Sequence, residues 1–558
     1  MSTYSDRPPS QGFPAPGPQS PSAGQLIGNA YCTGWQQVQA AHYDFIVIGT
    51  GPAGVAFIER TLARNPHAAI LVLERGGYWL PAHVQTLPAA FRAIAGEAPS
   101  TYPWTRSAAM AGDARLVQAG MIPLLGGRST CWHGWCAAPQ PDQLRGWPQA
   151  LVERTLQPGF WDDARAFLHV TGADRIDDSV YGSLQRQLDT RLRENFKRCV
   201  PSALDAGAAP LAVQHAERPG AGFHKFSTVG TLLGLQQRQK ALAAQGRGRE
   251  LHIVDRCTVD LLLHDGDGRA TTLETGCGPI RVGDAKIVLA MGAIPSATLL
   301  MNSFGALLPH AGTRYTGHLM SRFTARVRRA AFREAGALEL GAHVLHGRAG
   351  NGLQYQVQVS AFASSNPACD AATIAAEAPA AVPSLAQLQG SEDWVLFVCT
   401  ALGEVGEMSS EADGGNWMRL NGGADPTTNV TLQLQAGPQE LALWDLMDDA
   451  VCQTMLALAS RDAAAPVPVE YWIDEGPSGY WQGVRPPRRQ VRSHMVVDEA
   501  SPLWIGEDSS RSVVGLDYRP HGVRNVHVTG SALFPTAGSW NPTLAVCGLA
   551  RDLAERIA

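Results

Sequence analysis

The 558 residues contain no apolar run long enough to span a membrane as a helix. Even the apolar stretch 286–300 is broken by Gly292, Pro295 and Ser296. A basic excess is missing too. Lys and Arg number 45 against 50 Asp and Glu, a formal net charge of -5, which leaves no electrostatic footprint for nucleic acid. The ten cysteines are scattered, so neither a disulfide framework nor a zinc-type cluster emerges. Residues 1–25 are rich in Pro, Ser and Gly and lack the basic-then-apolar order of a secretion signal. They read as the start of a flexible tail over 1–40 in a cytoplasmic protein. No internal repeat is visible. What is present is 45% hydrophobic and 17% charged content, enough to bury large cores in more than one domain.

The most informative stretch is Tyr43 to Ala56. Phe45 to Ile48 is apolar without alternation, which suits a strand buried on both faces of a parallel sheet. A glycine turn follows, and each glycine has a task. Gly49 permits the turn, Gly51 lets backbone approach a pyrophosphate, and Gly54 lets the next helix pack close to the strand. That helix would aim free N–H groups and its positive end at phosphates. Residues 69–73 then form a second apolar strand ending in Glu74, an acceptor for a ribose hydroxyl. The pattern predicts a dinucleotide site and leaves NAD and FAD both open.

Further on, Gly126 and Gly127 precede Ser129, Thr130 and Cys131, a nest of backbone N–H groups for phosphate or the polar edge of a flavin ring. Residues 158–222 read as a helical insertion or lid. The segment 285–294, an apolar strand followed by Gly292, returns the chain to the nucleotide-binding sheet, with Pro295 and Ser296 opening another helix. From Arg322 to about Arg492 polar and apolar residues alternate, as in Gln354 to Val359, which predicts an antiparallel sheet with one covered face. A mobile loop is expected over 369–388, and a helix over 440–458.

Near the C-terminus, the buried strand Asn525 to Thr529 ends in Gly530 and Ser531, and Asn541, Pro542 and Thr543 open a final helix. Together with the glycine turn and the return strand, these residues resemble the glucose-methanol-choline (GMC) family of FAD-dependent oxidoreductases. The resemblance implies a discontinuous, Rossmann-like α/β FAD-binding domain (41–157, 223–321 and 497–558). It also implies an α+β substrate domain on an antiparallel sheet (322–496). Carried over by motif, FAD would touch Gly49, Gly51, Gly54, Glu74, Gly127, Ser129, Cys131, Val259, Gly530, Ser531, Asn541, Pro542 and Thr543. Several family members attach the flavin to a histidine at the place Cys131 holds, so a covalent link there stays open. No metal is implied.

The resemblance implies oxidation of an alcohol, a CH–OH donor, to a carbonyl by hydride transfer to flavin N5, with oxygen or another acceptor reoxidising the flavin. The family's usual base is a histidine, and a second His or Asn holds the oxygen. Asn541 supplies the second group, but Asp498 stands where the histidine belongs. A carboxylate with an ordinary pKa near 3.9 is a weaker base. His494 is the nearest substitute, with His133 and His318 as weaker rivals. The departure leaves two other readings open, a flavin-dependent lyase or decarboxylase and a silent FAD-bound partner protein. The partner expected is a small molecule, and Arg485, Arg488, Arg489 and Arg492 make an acidic one an option.

Overall fold

Phe45–Ile48 is fully buried, as its unbroken apolar run requires, and forms the middle strand of a five-stranded parallel sheet. The strand order is Val526–Val528, Lys286–Leu289, Phe45–Ile48, Ile70–Leu73, His252–Val254. Parallel neighbours cannot be joined by tight hairpins, so the chain returns to this sheet from distant segments. The computed structural model describes residues 28, 30–80, 82–87, 108–113, 115–118, 120–176, 180–215, 223–378, 382–406, 415–462, 467–475 and 478–558. No helix among them is long and apolar enough to cross a membrane.

A larger, mainly antiparallel sheet forms the second layer. Its order is Ser478–Gln482, Val469–Glu475, Thr316–Arg328, Trp394–Val405, Gln354–Ser364, Leu338–Arg348, Ala203–Ala208, and Arg492–Ala500 also pairs with Thr316–Arg328. The helix Pro438–Ala459 covers one face. Trp444 Nε1 donates to Ser321 Oγ at 2.9 Å, and the helix lies so close at Gly403 that a Cβ there would sit 2.5 Å from Met447 Sδ. On the opposite face, the even-numbered residues of Gln354–Ser364 are buried as well. The expected single covered face is therefore corrected: the glutamines face another part of the protein rather than solvent.

Other expectations change. The tail does not extend to residue 40, because Tyr31 is buried with its hydroxyl donating to Asp255 and Trp35–Ala40 is helical. Within 158–222, expected as an insertion or lid, helix Ser183–Cys199 packs beside Pro438–Ala459, the helix that covers the large sheet, and Ala203–Ala208 is an edge strand of that sheet. The boundaries drawn at 321/322 and 496/497 fall inside the strands Thr316–Arg328 and Arg492–Ala500. The loop expected over 369–388 instead contains the helices Pro367–Glu377 and Leu385–Leu388, with 379–381 outside the described residues. The mixed periodicity of 78–120 suggests a stretch wrapping over the nucleotide, and of it residues 81, 88–107, 114 and 119 lie outside the described residues.

Candidate active site

A cleft with about 1520 Å³ of empty space, counting its solvent-open side, runs along the carboxyl ends of the parallel strands. Three helices begin on its wall: Pro52–Arg64, Ala293–Phe304 and Thr543–Ile557. Each leaves unpaired N–H groups and a positive dipole end in its first turn, which suits phosphate and the electron-rich edge of a flavin. Gly49 adopts φ +103 with Ala290 O only 2.6 Å from where a Cβ would stand, so the turn admits no side chain. Gly51, Gly292 and Gly530, by contrast, have nothing within 4 Å on that side, and all three line the cleft. They form a cradle that side chains would fill.

At one end Glu74 closes the second strand. Its Oε2 accepts from Thr50 N at 3.0 Å and Thr50 Oγ1 at 2.6 Å, and its Oε1 accepts from Gly76 N at 2.9 Å. Burial pushes the carboxyl above its ordinary pKa, against these donors, which pull it down. Thr50 Oγ1 also accepts from Gly126 N at 3.0 Å, and Thr228 Oγ1 donates to Thr50 O at 3.1 Å. Ser129 Oγ lies 2.9 Å from Thr228 Oγ1. The two glycine turns are thus tied together through Thr50, Thr228 and Ser129.

At the other end stands Asp498. The strand Arg492–Ala500 bulges there, since Val497 pairs with His318 and Ala500 with Thr316, leaving Asp498 and Glu499 in the extra space. Asp498 takes φ +58, a left-handed conformation that Asp tolerates better than most residues. The bulge turns both carboxylates onto the cleft wall. Glu499 is taken by Arg128, with Oε2 2.8 Å from Nη1 and Oε1 2.7 Å from Nη2. Asp498 keeps a quarter of its side chain exposed, and its Oδ2 lies 3.0 Å from Nδ1 of fully buried His318. An ionised carboxylate only accepts, so Nδ1 carries the hydrogen of this bond. Nε2 lies 3.4 Å from Ala537 O.

Asn541 is oriented just as specifically. Its Oδ1 accepts from Gln356 Nε2 at 2.9 Å and Gln358 Nε2 at 2.8 Å, both on the polar face of the large sheet. The carbonyl being occupied, Nδ2 remains as the donor.

Of the residues singled out in the sequence, Gly49, Gly51, Glu74, Gly127, Val259, Gly530, Ser531, Pro542, Thr543 and Asp498 line the cleft. Gly54 does not. It lies beneath the turn, where a Cβ would come within 2.1 Å of Gly49 O. Ser129 is buried and its hydroxyl donates to Gly126 O at 2.7 Å, so it ties loops rather than facing the cleft. Cys131 does not line the cleft itself but packs against the small cluster of Leu80, Ile122 and Leu124, of which Ile122 is on the cleft wall. His494 is exposed on its strand and also off the wall. His318, expected to pack, does so while holding Asp498. The arginine expectation is corrected: Arg485 pairs with Asp449, Arg488 with Asp445, and Arg492 with Asp445 and Asp448, all acids of helix Pro438–Ala459. Sequence reasoning missed Thr50, Thr228, Gln356 and Gln358. Only the run of alternating glutamines hinted at a polar surface needing cover.

Residues 415–550 match the family model of the GMC oxidoreductase C-terminal region. No curated protein sequence matches the chain. Among solved structures, pyridoxine 4-oxidase from Mesorbium loti is similar at 15% identity and a TM-score of 0.58, covering 92% of this chain and 99% of its own. A formate oxidase from Aspergillus oryzae RIB40, studied for FAD modification, is similar at 14% identity and a TM-score of 0.60, covering 93% and 98%. The C-terminal segment is thus similar to the GMC oxidoreductase class, and the chain as a whole shares the fold of these two solved structures. FAD is the cofactor of that class. The glycine cradle, the three helix N-termini and the buried Glu74 fit it.

Proposed function

We propose that this protein oxidises a CH–OH donor to a carbonyl, with FAD lying in the Rossmann-like cleft and the substrate between it and the polar face of the large sheet. What carries the reading is that Asp498, held by His318, lines the cleft, and that Asn541, held by Gln356 and Gln358, directly precedes the lining residues Pro542 and Thr543. Bound there, FAD supplies the hydride acceptor at N5. Asp498 takes the hydroxyl proton on its exposed oxygen while the His318 Nδ1–H fixes the carboxylate in place. Asn541 Nδ2 donates to the substrate oxygen and holds it as its proton leaves. The cleft residues named from the sequence are assigned to FAD on the same reading.

Anaerobic addition of alcohols should bleach the flavin. Asp498→Asn keeps the shape and removes the acceptor, so it should slow that bleaching by on the order of a hundredfold or more with FAD still bound. A variant that reduces as fast as the parent would place the base elsewhere. Product formation without bleaching would point instead to a lyase.

A further inference from the structure

On the polar face of the large sheet, Arg322 is opposite Thr400, and Thr400 is opposite Gln358, whose amide holds Asn541 at 2.8 Å. Side chains in one row across a sheet leave it on the same side, so Arg322 projects on the Asn541 side, two strand spacings or about 10 Å along the row. The neighbouring arginines are all committed. Arg326 pairs with Glu470 and stacks on Trp394 and Trp481, Arg328 stacks on Trp394, Arg145 pairs with Glu404, and Arg128 holds Glu499. Arg322 has no hydrogen bond, ion pair or ring partner among the described residues.

Arg322 is exposed and is not among the residues lining the cleft described above, yet desolvation by the surrounding protein lowers its pKa from the ordinary value. Asp474 is the carboxylate whose field reaches it, without an ion pair, and Asp474 already accepts from Trp472 Nε1 at 2.7 Å. Arg322 in turn acts on His133, which also feels Lys225 and Asp498 and is held neutral, its pKa lowered to about 4 chiefly by enclosure. The charges around that imidazole are therefore two cations and one anion. Among the described residues the excess is positive.

We propose that the substrate is an alcohol that also carries a carboxylate, with Arg322 holding the carboxylate while Asp498 and Asn541 hold the hydroxyl. A planar guanidinium with free donors matches a carboxylate in two parallel hydrogen bonds. This deepens the alcohol-oxidation reading and rests on it. It also moves acid recognition from the Arg485 to Arg492 segment, whose arginines other than Arg489 are paired, to the sheet face.

The test titrates the FAD-loaded protein by calorimetry with butyrate, hexanoate and octanoate and with their methyl esters. The matching omega-hydroxy acids and their esters are then added anaerobically. The carboxylate should bind about ten- to a hundredfold more tightly than its ester for the best chain length, the range of a hydrogen-bonded charge. Arg322→Gln should erase that difference without weakening ester binding, and Arg322→Lys should restore part of it. Equal affinity for acids and esters in the parent overturns the proposal, as does an Arg322→Gln variant that still prefers the acid; the first result needs no variant to fold. Arg322-dependent acid binding with no bleaching by any hydroxy acid would keep the anion site and remove alcohol oxidation. Bleaching by neutral alcohols, with no preference for acids, would do the reverse.

Discussion

Replacing Gly51 with Ala separates the cofactor's demands from those of the fold. Gly51 has φ -66, which any residue can adopt, and a Cβ built there meets nothing within 4 Å. The methyl would enter the cleft at the N-terminus of Pro52–Arg64, facing the turn where a Gly127 Cβ would lie 3.4 Å from Gly51 Cα. The folded apoprotein should therefore lose nothing, and restricting the unfolded chain should add about 0.4–1 kcal/mol of stability. FAD binding should suffer, because forcing a methyl into a filled site costs about 1–3 kcal/mol, or roughly 5- to 150-fold in affinity. Gly54→Ala is the contrast. Its Cβ would stand 2.1 Å from Gly49 O, in backbone that cannot step aside, so the fold itself should weaken. Urea denaturation of the apoproteins and fluorescence titration with FAD separate the two effects. If Gly51→Ala binds FAD within twofold of the parent, or its apoprotein is destabilised by about 1 kcal/mol or more, the assignment of this turn to the cofactor fails.

Asp448 is fully buried, accepting from Ser321 Oγ and, at 2.7 Å, from Arg492 Nε, so Asp448→Ala should cost about 1–3 kcal/mol in urea denaturation by leaving those donors without this acceptor while Arg492 keeps Asp445. Replacing Arg488 and Arg489 with Gln should leave the KM for an acidic substrate unchanged and cost at most about 1 kcal/mol, since Arg488 is half exposed against Asp445. His346 and His527 are buried and each has its pKa lowered to about 4 by desolvation. The unfolded chain binds protons at these sites from about pH 6.5 downward while the fold does not, so their contribution is complete above that pH. Stability should decline as pH falls from about 6.5 towards 4, by up to about 3 kcal/mol per histidine, and denaturation curves across that window would show it.

Much of the nucleotide half was legible because its constraints are local. An apolar run buried on both faces and glycines bound to one turn by φ and close approach leave few alternatives, and Gly49, Gly54 and Glu74 occupy the places their spacing implied. Local sequence also singled out Asp498 and Asn541, to which the proposed function assigns the chemistry. It could not show what holds them. The hydrogen bond from His318 joins residues 180 positions apart, and those from Gln356 and Gln358 to Asn541 span 185 and 183. Pairings over such distances are set by sheet register, and no period in the sequence encodes register between strands so far apart. The same reason misled the reading of the arginine segment, where Arg488 and Arg492 look unpaired in sequence but meet acids spaced along a helix more than 35 residues away. Arg322 passed unremarked because one arginine in an alternating strand looks like any exposed charge. Only the fold places it in a row with Gln358 and, among the described residues, leaves it without an ion-pair partner.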